Sequence, residues 1–175
     1  PKSAAVYYDR GVAYASIEQY RDAIQSYDRA LELDPSATEA FVHKGMALSE
    51  LGMYRDALEA FERAIERNPQ LASAWLGKGN ALYDLGKYPD SQVAYETGLE
   101  IDPETAVGWT RYGMALAAQH KEDAAIEAYD RAIVIDPSFS IAYFTKGSAY
   151  EVLGRFDDAA EAFNLAEEYQ CPVIL

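Results

Sequence analysis

Glycine returns every 34 residues, at Gly11, Gly45, Gly79, Gly113 and Gly147, and proline keeps the same interval at Pro35, Pro69, Pro103 and Pro137. A constant period of this size marks a stacked-repeat architecture. It confines the chain to similar units, each too small to bury its own apolar surface. The 175 residues hold five periods with little left over. They are read as one domain over 4–173, with repeats 4–37, 38–71, 72–105, 106–139 and 140–173, followed by an apolar tail at 174–175.

Within the period the spacing is helical. Position 4 is Tyr7, Phe41, Trp75, Trp109 and Tyr143; position 8 is the glycine; position 11 is Tyr14, Leu48, Leu82, Leu116 and Tyr150. Steps of four and three residues put these on one helix face. Positions 20, 24 and 27 repeat the pattern on a second helix, with Ala23, Tyr27 and Ala30 in the first repeat. Breaks such as Leu51-Gly52-Met53 suit a left-handed helix C-cap, and proline at position 32 turns the chain after the second helix. Ser36-Ala37-Thr38-Glu39 reads as a capping box for the next first helix. In repeat 4, Gln119-His120-Lys121-Glu122 replaces the Leu-Gly-x-aromatic of repeats 2, 3 and 5, which predicts a less tightly packed turn. Glycine at position 8 lets two helices approach closely, and a bulky residue there would overpack them.

These residues resemble the tetratricopeptide repeat: aromatic at 4, glycine at 8, Leu or Tyr at 11, alanine at 20 and 27, aromatic at 24 and proline at 32. The resemblance runs over nearly the whole chain. It implies an all-α fold, a right-handed superhelical α-solenoid of five helix-turn-helix repeats. First helices would line a concave groove and second helices would face outward. It also implies a non-catalytic scaffold or adaptor for protein–protein interaction.

Composition narrows the partners. The formal net charge is −14, the wrong sign for phosphate backbones, so nucleic acid and anionic membrane surfaces are not expected partners. No apolar run approaches the roughly 20 residues needed to cross a bilayer. No secretory leader is legible at Pro1-Lys2-Ser3-Ala4-Ala5, and the start without Met suggests a trimmed chain of larger parentage. Cys171 is the only cysteine, so no internal disulfide forms. A cytoplasmic location is expected.

Catalysis finds little support in the residues. His43 and His120 lie in different repeats, and one cysteine cannot complete a zinc site with them. No phosphate-cradling glycine loop is present, because the glycines recur with the helix pairs. No cofactor or metal is expected.

By resemblance, the groove is lined by positions 2, 5, 9, 12 and 13. Position 5 reads Tyr8, Val42, Leu76, Thr110 and Phe144; position 9 reads Val12, Met46, Asn80, Met114 and Ser148; position 12 includes Tyr83 and Glu151. These twelve residues are the candidate peptide-binding surface. It is unusually apolar for an exposed stripe, and such patches tend to be interaction sites. Acidic neighbours Glu39, Glu50, Asp84 and Glu151 favour a protein or peptide carrying Lys or Arg beside apolar anchors. The carboxylate-gripping members of the family place Lys or Arg and Asn at positions 5 and 9, and only Asn80 matches. The asparagine ladder of the sugar-transferase relatives is absent at position 6. The basic residues of position 7 (Arg10, Lys44, Lys78 and Lys146) are read as snorkelling to nearby carboxylates. The alternative function is a self-associating structural module, a homo-oligomer docking through its C-terminal helix and the Val173-Ile174-Leu175 tail.

Overall fold

The computed structural model describes residues 3–170. These form ten helices and no strand: α1 Ala4–Ser16, α2 Tyr20–Leu33, α3 Thr38–Glu50, α4 Tyr54–Arg67, α5 Ala72–Asp84, α6 Tyr88–Ile101, α7 Ala106–Ala117, α8 Glu122–Ile135, α9 Ser140–Val152 and α10 Phe156–Gln170. Every first helix starts at position 1 of the period and every second helix at position 17. The expected tail contacts of Cys171 to Leu175 lie outside the described residues. The chain divides into two compact units, Pro1–Lys87 and Tyr88–Leu175.

All five turns between first and second helices close in the same way. The N–H at position 16 donates to the carbonyl at position 11, as in Met53 to Leu48 (2.9 Å) and Arg155 to Tyr150 (2.9 Å). This geometry needs a left-handed residue at position 15. Gly52, Gly86 and Gly154 supply it with φ of 72° to 73°, and Glu18 and His120 adopt it at φ 59° and 58°. The turn of repeat 4 is therefore not looser, contrary to the sequence expectation. Lys121 N–H reaches the Leu116 carbonyl at 3.1 Å. The Gln119 side chain also ties the turn to α6, donating to Gln92 Oε1 at 3.1 Å. The capping box is a second correction. Thr38 is already helical, and the residue before it, Ala37, makes no side-chain cap. Ser36 instead donates its N–H and hydroxyl to Asp34 Oδ1, at 2.9 and 2.6 Å.

In the first unit, α1 packs on α2 and α3 on α4, while α2 packs on α3 and α4 on α5. The first helices also meet, α1 with α3 and α3 with α5; among the described residues no such contact joins α2 to α4. The first helices therefore occupy the inner side of this unit's curve. Small residues make the approach possible. Ala40, Ala47, Ala74 and Ala81, at positions 3 and 10, are buried against the preceding repeat. Phe61 fills the space between repeats. A methyl added to Gly45 would lie 2.8 Å from its ring, and one on Gly77 would collide with it outright. Tyr27 plays the same part against Gly11.

The second unit repeats this scheme. α6 packs on α7, α7 on α8, α8 on α9 and α9 on α10; α7 meets α9. Tyr129 lies against Gly113, and a methyl on Gly147 would stand 2.6 Å from Phe163.

Two polar devices recur at the junctions. Position 7 reaches back 16 residues to an acid at position 25 of the preceding repeat: Lys44 to Asp28 (2.6 Å), Lys78 to Glu62 (3.0 Å) and Lys146 to Asp130 (2.6 Å). This places the position 7 lysines where the sequence reading put them, on neighbouring carboxylates. The second device satisfies the carbonyl of the position 32 proline. Trp75 Nε1–H donates to Pro69 (2.9 Å), Trp109 Nε1–H to Pro103 (2.8 Å) and Tyr143 hydroxyl to Pro137 (3.1 Å). Phe41 has no donor. Arg67 stacks on its ring, with the guanidinium carbon 4.4 Å from the centroid, and donates Nε–H to Pro35 at 2.8 Å.

Candidate functional site

A helix packed on two neighbours leaves one stripe uncovered, and within each unit such a stripe lies on the first helices. In the first unit it carries Tyr8 and Val12 from α1, Met46 from α3, and Leu76, Asn80 and Tyr83 from α5. Val12 and Met46 are exposed; Tyr8, Leu76, Asn80 and Tyr83 are half-buried. In the second unit it carries Met114 from α7 and Phe144, Ser148 and Glu151 from α9. Phe144 is 59% exposed, Glu151 is exposed, and Met114 and Ser148 are half-buried.

Two expected members do not reach the surface. Val42 is only 4% exposed and joins the core cluster around Phe61. Thr110 is 2% exposed and donates its hydroxyl to the Ala106 carbonyl at 2.9 Å. The reason is reach. A short branched side chain at position 5 ends between the helices, whereas Tyr8 and Phe144 extend past them. Sequence reasoning also passed over exposed apolar side chains at positions 2 and 13: Val107 (55%), Ile141 (52%) and Val152 (68%). Both positions belong to the expected groove lining, and the apolar type of these residues is the signal that marks them.

Around Tyr8 the face is aromatic. The Tyr8 ring meets His43 edge-on at 5.5 Å and Tyr27 at 6.0 Å, and His43 lies 6.0 Å from Tyr27. Burial holds the His43 imidazole below its ordinary pKa, against an opposing pull from Glu39. Burial pushes the Tyr8 phenol up, helped by the Glu39 and Asp9 charges. Both effects favour neutral rings beside acidic residues. Among the described residues no group of three or more His, Cys, Asp or Glu side chains could hold a metal ion. No described helix is long and apolar enough to cross a membrane.

Helix pairs repeated in one register, with the first helix of each pair turned inward, define an all-α helical-repeat solenoid of the protein–protein interaction class. Tetratricopeptide repeat profiles match residues 4–37, 42–104, 76–138 and 111–172, and the chain belongs to that family. A search of curated protein sequences gives no match. Solved structures agree on the fold. The crystal structure of MamA is similar at 26% identity, covering 91% of this chain and 94% of that one, with a TM-score of 0.82. MamA 41-end from Desulfovibrio magneticus RS-1 is 20% identical, covering 97% and 96%, with a TM-score of 0.86. YrrB, described as a TPR protein with an unusual peptide-binding site, is 23% identical, covering 96% and 87%, with a TM-score of 0.75.

Proposed function

We propose that the chain is a non-catalytic scaffold that binds a peptide segment along the inner faces of its first helices. The observation that carries this reading is the exposed apolar side chains on the first helices of each unit: Val12 and Met46 in the first, Val107, Ile141 and Phe144 in the second. Apolar side chains left exposed on a preformed surface favour capture of a partner's apolar anchors. Methionine adapts its shape to different guests. The acidic neighbours Glu39, Glu50 and Glu151 select for a guest that also carries Lys or Arg. The description of YrrB as peptide-binding supports the same reading for a similar fold.

Panning a display library of short random peptides against the chain tests it. Enriched peptides should combine apolar and basic residues. They should lose at least about tenfold in affinity, roughly 1.4 kcal/mol, on the Val12→Lys/Met46→Lys variant, while melting changes little. Equal binding to both proteins would remove the inner face as the site.

A second reading rests on the open end of the second unit. Ile141, Phe144, Phe163 and Ala166 of α9 and α10 line a recess of about 350 Å³, which could seat a second copy of the chain. Sedimentation at rising concentration decides it, since a monomer throughout excludes self-association.

A further inference from the structure

One recess in the first unit differs in chemistry from the apolar stripe beside it. It encloses about 340 Å³ between the start of α1, the end of α2 and the start of α3. It is lined by Ala4, Ala5 and Ala37, by Ala30 and Ala40 at its buried floor, and by Tyr8, Asp34 and Glu39. No described Lys or Arg lines it. Among the described residues no ion pair engages Asp34 or Glu39. Three described cations have partners elsewhere: Lys44 on Asp28, Arg10 on the Ser26 hydroxyl and Arg67 on the Pro35 carbonyl.

We infer that this recess seats a Lys or Arg side chain of the bound peptide. The inference rests on the inner-face reading and adds to it the side-chain class and its place. An alkyl stem matches the alanine walls, in the way long basic side chains lie along apolar surface. The charged head then meets the face of Tyr8 and two carboxylates. The Ser36 hydroxyl and N–H both donate to Asp34 Oδ1, which holds the carboxyl below its ordinary pKa. The last carbonyls of α2 add negative potential at the same spot. α3 begins there too, and its N-terminal end would favour an anion, but Glu39 stands in its first turn.

Asp102 and Asp136 keep the acid of Asp34, and Asp136 accepts from Ser138 in the same way, but the combination with Tyr8 and Glu39 does not recur. One repeat later, Asn68, Leu71 and Ser73 stand where Asp34, Ala37 and Glu39 stand here, and Val42 replaces Tyr8. In the second unit, Val107 and Ile141 take the place of Glu39. Within the first unit a partner would therefore be read by one cation beside the apolar side chains of Val12 and Met46.

The test uses the whole chain and small probes. N-acetyl-arginine amide and N-acetyl-lysine amide are titrated in, with N-acetyl-norleucine amide as the uncharged control, while methyl resonances of the alanines are followed by NMR. Saturable shifts are expected at Ala4, Ala5, Ala30 and Ala37 at roughly millimolar concentrations, weakening as salt rises. Norleucine amide should give at least about tenfold weaker binding. Glu39→Lys should abolish the effect and Glu39→Gln should reduce it, with the helical spectrum unchanged in both. No shift with either cationic probe, equal shifts with norleucine amide, or full binding to Glu39→Lys each overturns the inference. The two proposals fail separately. If selected peptides lose affinity on Val12→Lys/Met46→Lys but not on Glu39→Lys, the inner face stands and the basic seat falls. If the probes bind the recess while peptides ignore Val12→Lys/Met46→Lys, the seat stands and the stripe falls.

Discussion

The Tyr112 hydroxyl donates to Glu96 at 2.9 Å, in the place where Lys44, Lys78 and Lys146 present an ammonium to the preceding repeat. One junction thus keeps the contact while exchanging an ion pair for a charged hydrogen bond. A net contribution of about 1.5–3 kcal/mol is expected from such a bond to a charged group. Tyr112→Phe should lower stability by that amount in chemical denaturation, and Tyr112→Lys should cost less because the lysine restores the pairing seen at the other junctions.

Tyr112 also sets an alkaline limit. Burial, the hydrogen bond to Glu96 and its charge push the phenol up to about 12, and burial does the same for Tyr27. The neutral phenol is favoured in the folded chain, whereas the unfolded chain ionises near pH 10. The resulting stability is complete below pH 10 and is lost as pH rises toward 12. Ultraviolet titration should show a late-ionising set of tyrosines, and Tyr112→Phe should remove one member of it.

Acid acts through His43. Its folded pKa lies below the ordinary 6.5, because burial against Tyr8 and Tyr27 outweighs the attraction of Glu39. The unfolded chain therefore binds the proton first. Stability from this group is present above pH 6.5 and is lost as pH falls through the folded pKa. Melting curves of the native chain and His43→Gln should converge in slope below that point, with the native chain the more acid-sensitive above it.

The Phe61 ring fixes the spacing of its two neighbours. Gly77→Ala should cost about 1–3 kcal/mol through overpacking, measured by urea unfolding, because the added methyl meets the ring itself. Phe61→Leu in the Gly77→Ala background should recover part of the loss. Gly86→Ala meets no atom within 4 Å, so its cost comes only from φ of +73°.

Arg67 stands in for a tryptophan. It donates to Pro35 because Phe41 cannot, whereas Trp75 and Trp109 make the equivalent bonds with their own rings. Arg67→Ala should destabilise by about 0.5–1.5 kcal/mol. Phe41→Trp should rescue it, and the double-mutant cycle should show a coupling of similar size.

Much of this was legible along the chain. Aromatic, glycine and alanine recur with helical spacing, so helix pairs and their register follow from apolar periodicity alone. The position 7 lysines were legible as partners of carboxylates, since long basic stems on a packed face have few other places to go. Other features were hidden because they depend on competition or on reach. Ser36 could cap α3 or bond Asp34, and only the chain path decides for Asp34. His120 reads as a poor turn residue, yet the closure of the repeat 4 turn imposes the left-handed conformation on it regardless.

The order of residues by itself determined the pairing of helices in each period and which of their faces are apolar, because these arise from the local spacing of small and aromatic side chains. Packing between repeats decided the rest. It buried Val42 and Thr110, whose side chains end between helices, and it left Val107, Ile141 and Phe144 in the open. It also gathered Tyr8, Asp34 and Glu39 around one recess. Those outcomes depend on distances between segments far apart in the chain, which no local pattern encodes.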